Sequence, residues 1–327
     1  MRIARFSTGG DPQYGVVNGD LDEYGQPAED ATVVALAGDP LYSGINLLEE
    51  VHRLADVRLL APVIPRSKVV AIGKNYADHV AEMKGMTGDA PSEPLMFLKP
   101  NTSVVGPGDP ILYPRQSENL HYEGELAVVI GRICKDVPKE RAADVIHGYT
   151  LANDVTARDL QKSDGQWSRA KGFDSFCPLG PWIDTDLTLD DVAEGITLQT
   201  FLEGDKVQDG STRDLQRSDV QFTRAKGFDT FCPLGPWIET DLDPQHFMDG
   251  VPIRTHLNGE VVQDGSTADM VFDIPSLVAH VSSVMTLLPG DVILTGTPEG
   301  VGPMEVGDEV EVSIAGLGSL TNKVVER

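Results

Sequence analysis

The chain has 327 residues, 40% of them hydrophobic, which is enough for one large domain with a smaller one beside it. Fifty-one acidic residues against 26 Lys and Arg give a formal charge of −25, spread along the chain rather than gathered in a run. Such a field repels polyanions, and no basic cluster with interleaved aromatics offsets it, which argues against nucleic-acid partners.

Three cysteines, Cys134, Cys177 and Cys232, make no disulfide framework. The opening "MRIARFSTGGDPQYG" lacks a signal-peptide core, and no stretch approaches the roughly 18 apolar residues of a membrane span. A soluble, cytoplasmic protein with no membrane partner is expected.

In chain order, short apolar stretches such as "MRIARF" and "YGVVNG" alternate with Gly, Asp and Pro. They predict a small β-rich domain over residues 1–60, joined through the Pro-containing link 61–65 to a main domain over 61–327. "SKVVAIG" reads as a buried strand, and "KNYADHVAEM" as a helix start capped by Asn75. "MFLKP" and "ILYP" are short strands, and "HYEGELAVVIG" alternates before turning wholly apolar, as in a strand buried at its far end. "ERAADVIHGYTLANDV" passes from helix to strand. Further on, "IPSLVAHVSSVMTL" has helical spacing, "LPGD" turns the chain, "VILTGTP" is a strand, and the tail is rich in hairpins. Many strands with few short helices predict an α+β, mostly β fold.

One segment occurs twice. Residues 159–213 recur as 214–268, with 33 of 55 positions identical. Two units fall short of a repeat architecture, and the substitutions keep the burial pattern, so either copy suits the same slot.

Glu123 and Glu125 sit two apart on a strand and so share a face, with His121 beside them; Gly124 on the other face allows another backbone to approach closely. Carboxylates held that close repel unless a cation lies between them. Asp154 follows a second strand that can return beside the first, and three oxygen ligands suit Mg²⁺, Mn²⁺ or Ca²⁺ better than zinc. A solvated strand edge with alternating acids has the same pattern. His79 and Glu82 lie at i and i+3 of the expected helix, where the carboxylate raises the basicity of the imidazole; an ordinary surface pair is the alternative. The lysine of "RAKGFD" is Lys171 in the first copy and Lys226 in the second, each beside an apolar "FCPLGPWI" that brings it near the core, although a lone loop lysine is usually solvated. "TGTPEGVG" offers main-chain amides and the Thr297 hydroxyl to an anionic oxygen, or is simply a turn.

Together, in this order, "GKNYADHVAEM", "FLKP", "HYEGELAVVIG", "GYTLANDVTARDLQ", "RAKGFD", "CPLGPW" and "DVILTGTPEGVGP" resemble the fumarylacetoacetate hydrolase family from about Ala61 to the C-terminus. The leader also resembles the small N-terminal domain of bacterial members described as 2-hydroxyhepta-2,4-diene-1,7-dioate isomerases. The resemblance implies a mixed β-roll, usually a homodimer, with a divalent metal, Mg²⁺, Mn²⁺ or Ca²⁺, at its mouth. It further implies Glu123, Glu125 and Asp154 as metal ligands, His79 with Glu82 as catalytic dyad, and Lys171 or Lys226 as the substrate-facing lysine. Gln161 or Gln216, and Thr297, match substrate-facing positions. Members act on short 2-oxo acids and their enols; hydrolysis of an acylpyruvate-type C–C bond is the leading expectation, with isomerisation or decarboxylation as alternatives.

The family carries the duplicated segment once. Three arrangements therefore compete: copy one in the fold, copy two in the fold, or a hybrid of the front of one and the back of two. Continuity with Asp154 favours Lys171. A folded protein whose site the duplication has broken, binding only a metal or a partner, is the reading from another class.

Overall fold

The computed structural model describes residues 1–22, 26–73, 75–76, 93–164, 167–202, 204–211, 237–241, 251–314 and 317–326. Strands dominate, as the alternation predicts, and helices are few and short. Among the described residues no helix is long and apolar enough to cross a membrane.

The main sheet places the leader strands Leu47–Arg53, Thr32–Leu36, Gln13–Asn18 and Arg2–Ser7 in that order, then continues through Cys177–Asp186, Ile146–Asn153, Gly124–Ile130, Val292–Leu294, Val69–Gly73 and Leu95–Lys99. The leader is therefore not a detached sheet. Its first strand pairs antiparallel with Cys177–Asp186, Ile3 opposite Ile183.

The strand Gly124–Ile130 is buried along its whole length, which is why it reads as an unbroken apolar run. Its side chains alternate between two cores. Leu126, Val128 and Ile130 pack with Leu277, Val278 and Val281 of the helix Ile274–Val284 and with Val312 and Ile314. Ala127 and Val129 face Val69, Ala71, Ala152, Trp167 and Leu179. Asp273 caps that helix by accepting from the Ser276 amide at 2.9 Å, with Pro at its first turn.

A second sheet packs on this one. Glu309–Ile314 pairs antiparallel with Gly318–Glu326, forming the expected C-terminal hairpin, and Ile111–Tyr113 adds in parallel. On its other edge Glu309–Ile314 meets both Thr197–Leu202 and Pro252–Leu257. Gly124 lies where the two sheets approach: a Cβ there would sit 2.2 Å from Thr255 Oγ1 and 3.1 Å from Val312 Cγ1. It is side chains of the second sheet, and not the backbone expected there, that come closest to this glycine.

The helical stretch expected before the strand Ile146–Asn153 is a 3-10 helix, Lys139–Val145. Asn75, the expected helix cap, donates Nδ2 to the carbonyls of Phe272 and Thr295 and accepts from the Phe272 amide, tying two distant loops together. The helix expected after it lies outside the described residues.

Candidate metal centre

Two neighbouring strand ends build the site. Gly124–Ile130 pairs antiparallel with Ile146–Asn153, Gly124 opposite Asn153, so Glu123 and Asp154 emerge side by side where the ladder ends. The Asp154 amide donates to the Glu123 carbonyl at 2.7 Å, and the Glu123 amide to Asn153 Oδ1 at 3.0 Å. Glu125, one pleat along, points the same way. All three carboxylates are fully buried, and one oxygen of each lies within 4.8 Å of the others. The solvated-edge reading of these acids is excluded by their burial.

Buried carboxylates require compensation. Lys171 Nζ donates to Glu123 Oε2 at 2.8 Å and to Asp154 Oδ2 at 2.7 Å. Lys99 Nζ donates to the other Asp154 oxygen at 2.6 Å and to the Lys171 carbonyl at 2.7 Å. Arg158 pairs with Glu123 and donates to Gln161 Oε1 at 2.9 Å. Three buried cations thus face three buried carboxylates. Burial pushes the Lys99 ammonium down to about 8, the Asp154 charge opposing that shift. The Lys171 ammonium also stands 5.3 Å from the Phe97 ring, which in turn meets Trp167 edge to face.

The loop after Val292–Leu294 supports the ligand strand. The Gly296 amide donates to Glu125 Oε2 at 3.0 Å, and Thr297 Oγ1 donates to the Gly124 carbonyl at 2.9 Å. Gln263 completes the brace: it accepts from the Gly124 amide at 3.0 Å and donates to Thr297 Oγ1 at 2.9 Å and the Pro298 carbonyl at 2.8 Å. The Thr297 hydroxyl, expected to meet an anionic oxygen, has its hydrogen directed at main chain here.

Of the residues singled out in the sequence, Glu123, Glu125, Asp154, Lys171 and Gln161 come together, with Thr297 behind Glu125. His79, Glu82, Gln216 and Lys226 lie outside the described residues. Sequence reading missed Lys99, Arg158 and Gln263. Lys99 and Arg158 stand in motifs quoted above, "FLKP" and "TARDLQ", but a charge at a strand or helix end reads as solvated until its carboxylate partner is known.

The Fumarylacetoacetate (FAA) hydrolase C-terminal family matches residues 68–218 and again 207–325. The chain belongs to the fumarylacetoacetate hydrolase family. The two matches accord with a segment present twice, and residues 1–62 match a second family, Rv2993c-like, N-terminal. Protein Rv2993c of Mycobacterium tuberculosis is 43% identical over 331 residues, covering 100% of this chain and 99% of that protein. The mitochondrial oxaloacetate tautomerase FAHD1 of Homo sapiens is 36% identical over 260 residues, 78% of this chain and 90% of that one. Among solved structures, 5-carboxymethyl-2-hydroxymuconate delta-isomerase from Mycobacterium smegmatis is 40% identical, with 100% of both chains covered and a TM-score of 0.70. Members of the family are hydrolases and isomerases, and this chain is an enzyme of that kind. A fold with a buried acidic triad fits it: three oxygen donors within reach of one ion suit a divalent metal.

Proposed function

We propose that the enzyme uses a divalent cation, Mg²⁺ or Mn²⁺, to form or move an enolate on a short 2-oxo acid, with isomerisation or tautomerisation as the net reaction. One observation carries this: Glu123, Glu125 and Asp154 are buried together against Lys99 and Lys171. Hard oxygen ligands on one side and ammonium groups on the other match a substrate with adjacent carboxylate and carbonyl oxygens. Glu123, Glu125 and Asp154 would hold the ion, which when bound polarises a carbonyl that chelates it. Lys171 would lower the energy of the developing enolate by its charge, in a site from which water is excluded. Lys99 holds Lys171 and Asp154 in place. His79, assisted by Glu82, is the proposed base that moves the proton; Gln161, held by Arg158, lines the same side.

The names of relatives favour proton relocation, since an oxaloacetate tautomerase resembles 78% of this chain and a delta-isomerase all of it. Hydrolysis of an acylpyruvate is the second reading, supported by the family itself. It shares the enolate, which would be the leaving fragment after water attacks the distal carbonyl. The test is a panel of 2-oxo acids with and without Mg²⁺, followed by NMR in D₂O. Metal-dependent deuterium exchange at C3 without fragmentation supports the first reading, and appearance of pyruvate with a carboxylic acid supports the second. Neither, with the metal demonstrably bound, overturns both.

A further inference from the structure

The two copies meet one acceptor. Glu309–Ile314 has two edges, and Gly318–Glu326 takes one of them, Ile314 opposite Gly318. Against the other, Leu198 and Ile253 share the same partner, Ile314; Gln199 and Arg254 share Ser313; Thr200 and Thr255 share Val312. Members of each pair are 55 positions apart, the offset of the duplication. One edge offers one row of amides and carbonyls, so these segments are alternative occupants of a single place.

The junction between copies is visible at Thr267. Its hydroxyl accepts from the Ile196 amide at 2.9 Å and the Val251 amide at 2.9 Å, and donates to the Val192 carbonyl. Ile196 and Val251 are again counterparts 55 apart, bridged to each other in parallel. Thr267 therefore marks the one point at which the chain reaches the edge, from copy one at Ile196 or from copy two at Val251.

The turn that follows separates the rivals. Asn258 has φ 51°, the left-handed region, before Gly259. Its amide donates to the Glu309 carbonyl at 2.8 Å, its Oδ1 accepts from the Glu309 amide at 2.9 Å, and its Nδ2 donates to Asp308 at 2.9 Å. The counterpart in copy one is Glu203. A glutamate is disfavoured at such a φ, has no hydrogen to give Asp308, and would add a like charge beside it. Against this, copy two buries His256, opposite Glu311, where copy one has the more readily buried Phe201. Loop entropy does not discriminate, because either choice leaves 55 residues over. The turn contributes both a backbone preference and two side-chain bonds, together on the order of 30-fold in favour of copy two.

We propose that the working domain is a splice: the chain follows copy one through the helix Leu189–Gly195, with Lys171 at the carboxylates, and re-enters at Val251, so that copy two supplies Pro252–Leu257, Gly259–Ser266 and the bracing Gln263. Asn258 makes that choice. Gln263 is then the positioning residue that fixes Gly124 and Thr297 behind Glu125, and its identical counterpart Gln208 is the spare.

The test needs no activity. In the full chain, Arg254→Cys with Ser313→Cys and, separately, Gln199→Cys with Ser313→Cys are treated with a short bis-alkylating crosslinker, and the linked peptides are assigned by mass spectrometry. The Arg254 pair is expected to link at least about tenfold more than the Gln199 pair. Exchanging the turn residues, Asn258→Glu with Glu203→Asn, is expected to shift the ratio toward Gln199 by about tenfold or more. Equal linking with the native turn, dominance of the Gln199 pair, or a ratio unmoved by the exchange overturns the proposal. Hydrogen exchange of the unmodified protein gives a check free of misfolding variants: slow exchange is expected in Ile253–Ser266 and fast exchange in Leu198–Ser211, and the reverse or equal protection also overturns it.

Discussion

Lys99 fixes Lys171 by its main chain: the Lys99 ammonium donates to the Lys171 carbonyl at 2.7 Å while contacting Asp154, the carboxylate that Lys171 itself contacts. One carboxylate is thus gripped from both sides by two buried lysines that also hold each other. Removing either leaves buried charge uncompensated. Lys171→Ala is expected to destabilise the protein by about 3–5 kcal/mol in urea unfolding and to abolish turnover. Lys226→Ala should do neither; full turnover by the first variant with loss in the second would assign the lysine to the other copy.

Glu125 can be tested with little damage to the fold. Glu125→Gln keeps an oxygen for the Gly296 amide but removes a charged ligand. Mn²⁺ affinity by titration calorimetry should fall by more than the roughly 10–100-fold typical of losing an outer-shell partner, with Tm nearly unchanged. Wild-type affinity would remove Glu125 from the proposed centre.

Charge matching predicts linkage between metal and substrate. Three carboxylates already face three cations, so a divalent ion enters an otherwise balanced cluster. A doubly charged anion such as oxalate offsets that excess. Oxalate should tighten Mn²⁺ binding by about 5–150-fold, with Mn²⁺ tightening oxalate by the same factor. Independent binding would show that the two do not share the site.

Gly124→Ala places a methyl against Thr255 and Thr200, 2.2 and 2.7 Å from their hydroxyls. A cost of about 1–3 kcal/mol is expected, with weakened metal binding because Glu123 and Glu125 flank the displaced residue. Thr255→Ala should restore part of the lost Tm in the double variant. Thr200→Ala should restore little, if copy two holds the edge.

His147 sets a pH dependence of stability away from the site. Burial pushes its imidazole down from 6.5 to about 4. The unfolded chain therefore binds more protons than the folded one between these values, and stability falls as pH is lowered from about 6.5 to about 4. In His147→Phe that part of the slope should vanish in Tm measured across the interval; an unchanged slope would assign it to other groups.

Much of this was legible in the sequence because strand periodicity and ligand spacing are local. The alternating and then apolar run ending in Ile130 marked a strand with two acids on one face, and the helix at Ile274–Val284 followed from apolar spacing after Asp273. Lys99 and Gln263 escaped notice for the opposite reason. Lys99 meets Asp154 across 55 residues and Gln263 meets Gly124 across 139, and nothing near either residue in the chain announces its partner.

The sequence by itself determined the family, the mostly β fold and the acidic triad, since each depends on residue order along a few short segments. It also showed that a segment is present twice, and continuity with Asp154 favoured Lys171, but nothing in it chose between the identical Gln208 and Gln263. That choice belongs to tertiary structure. One strand edge accepts one partner, and Asn258 in a left-handed turn, bonded to Asp308 and Glu309, is what sets copy two apart there.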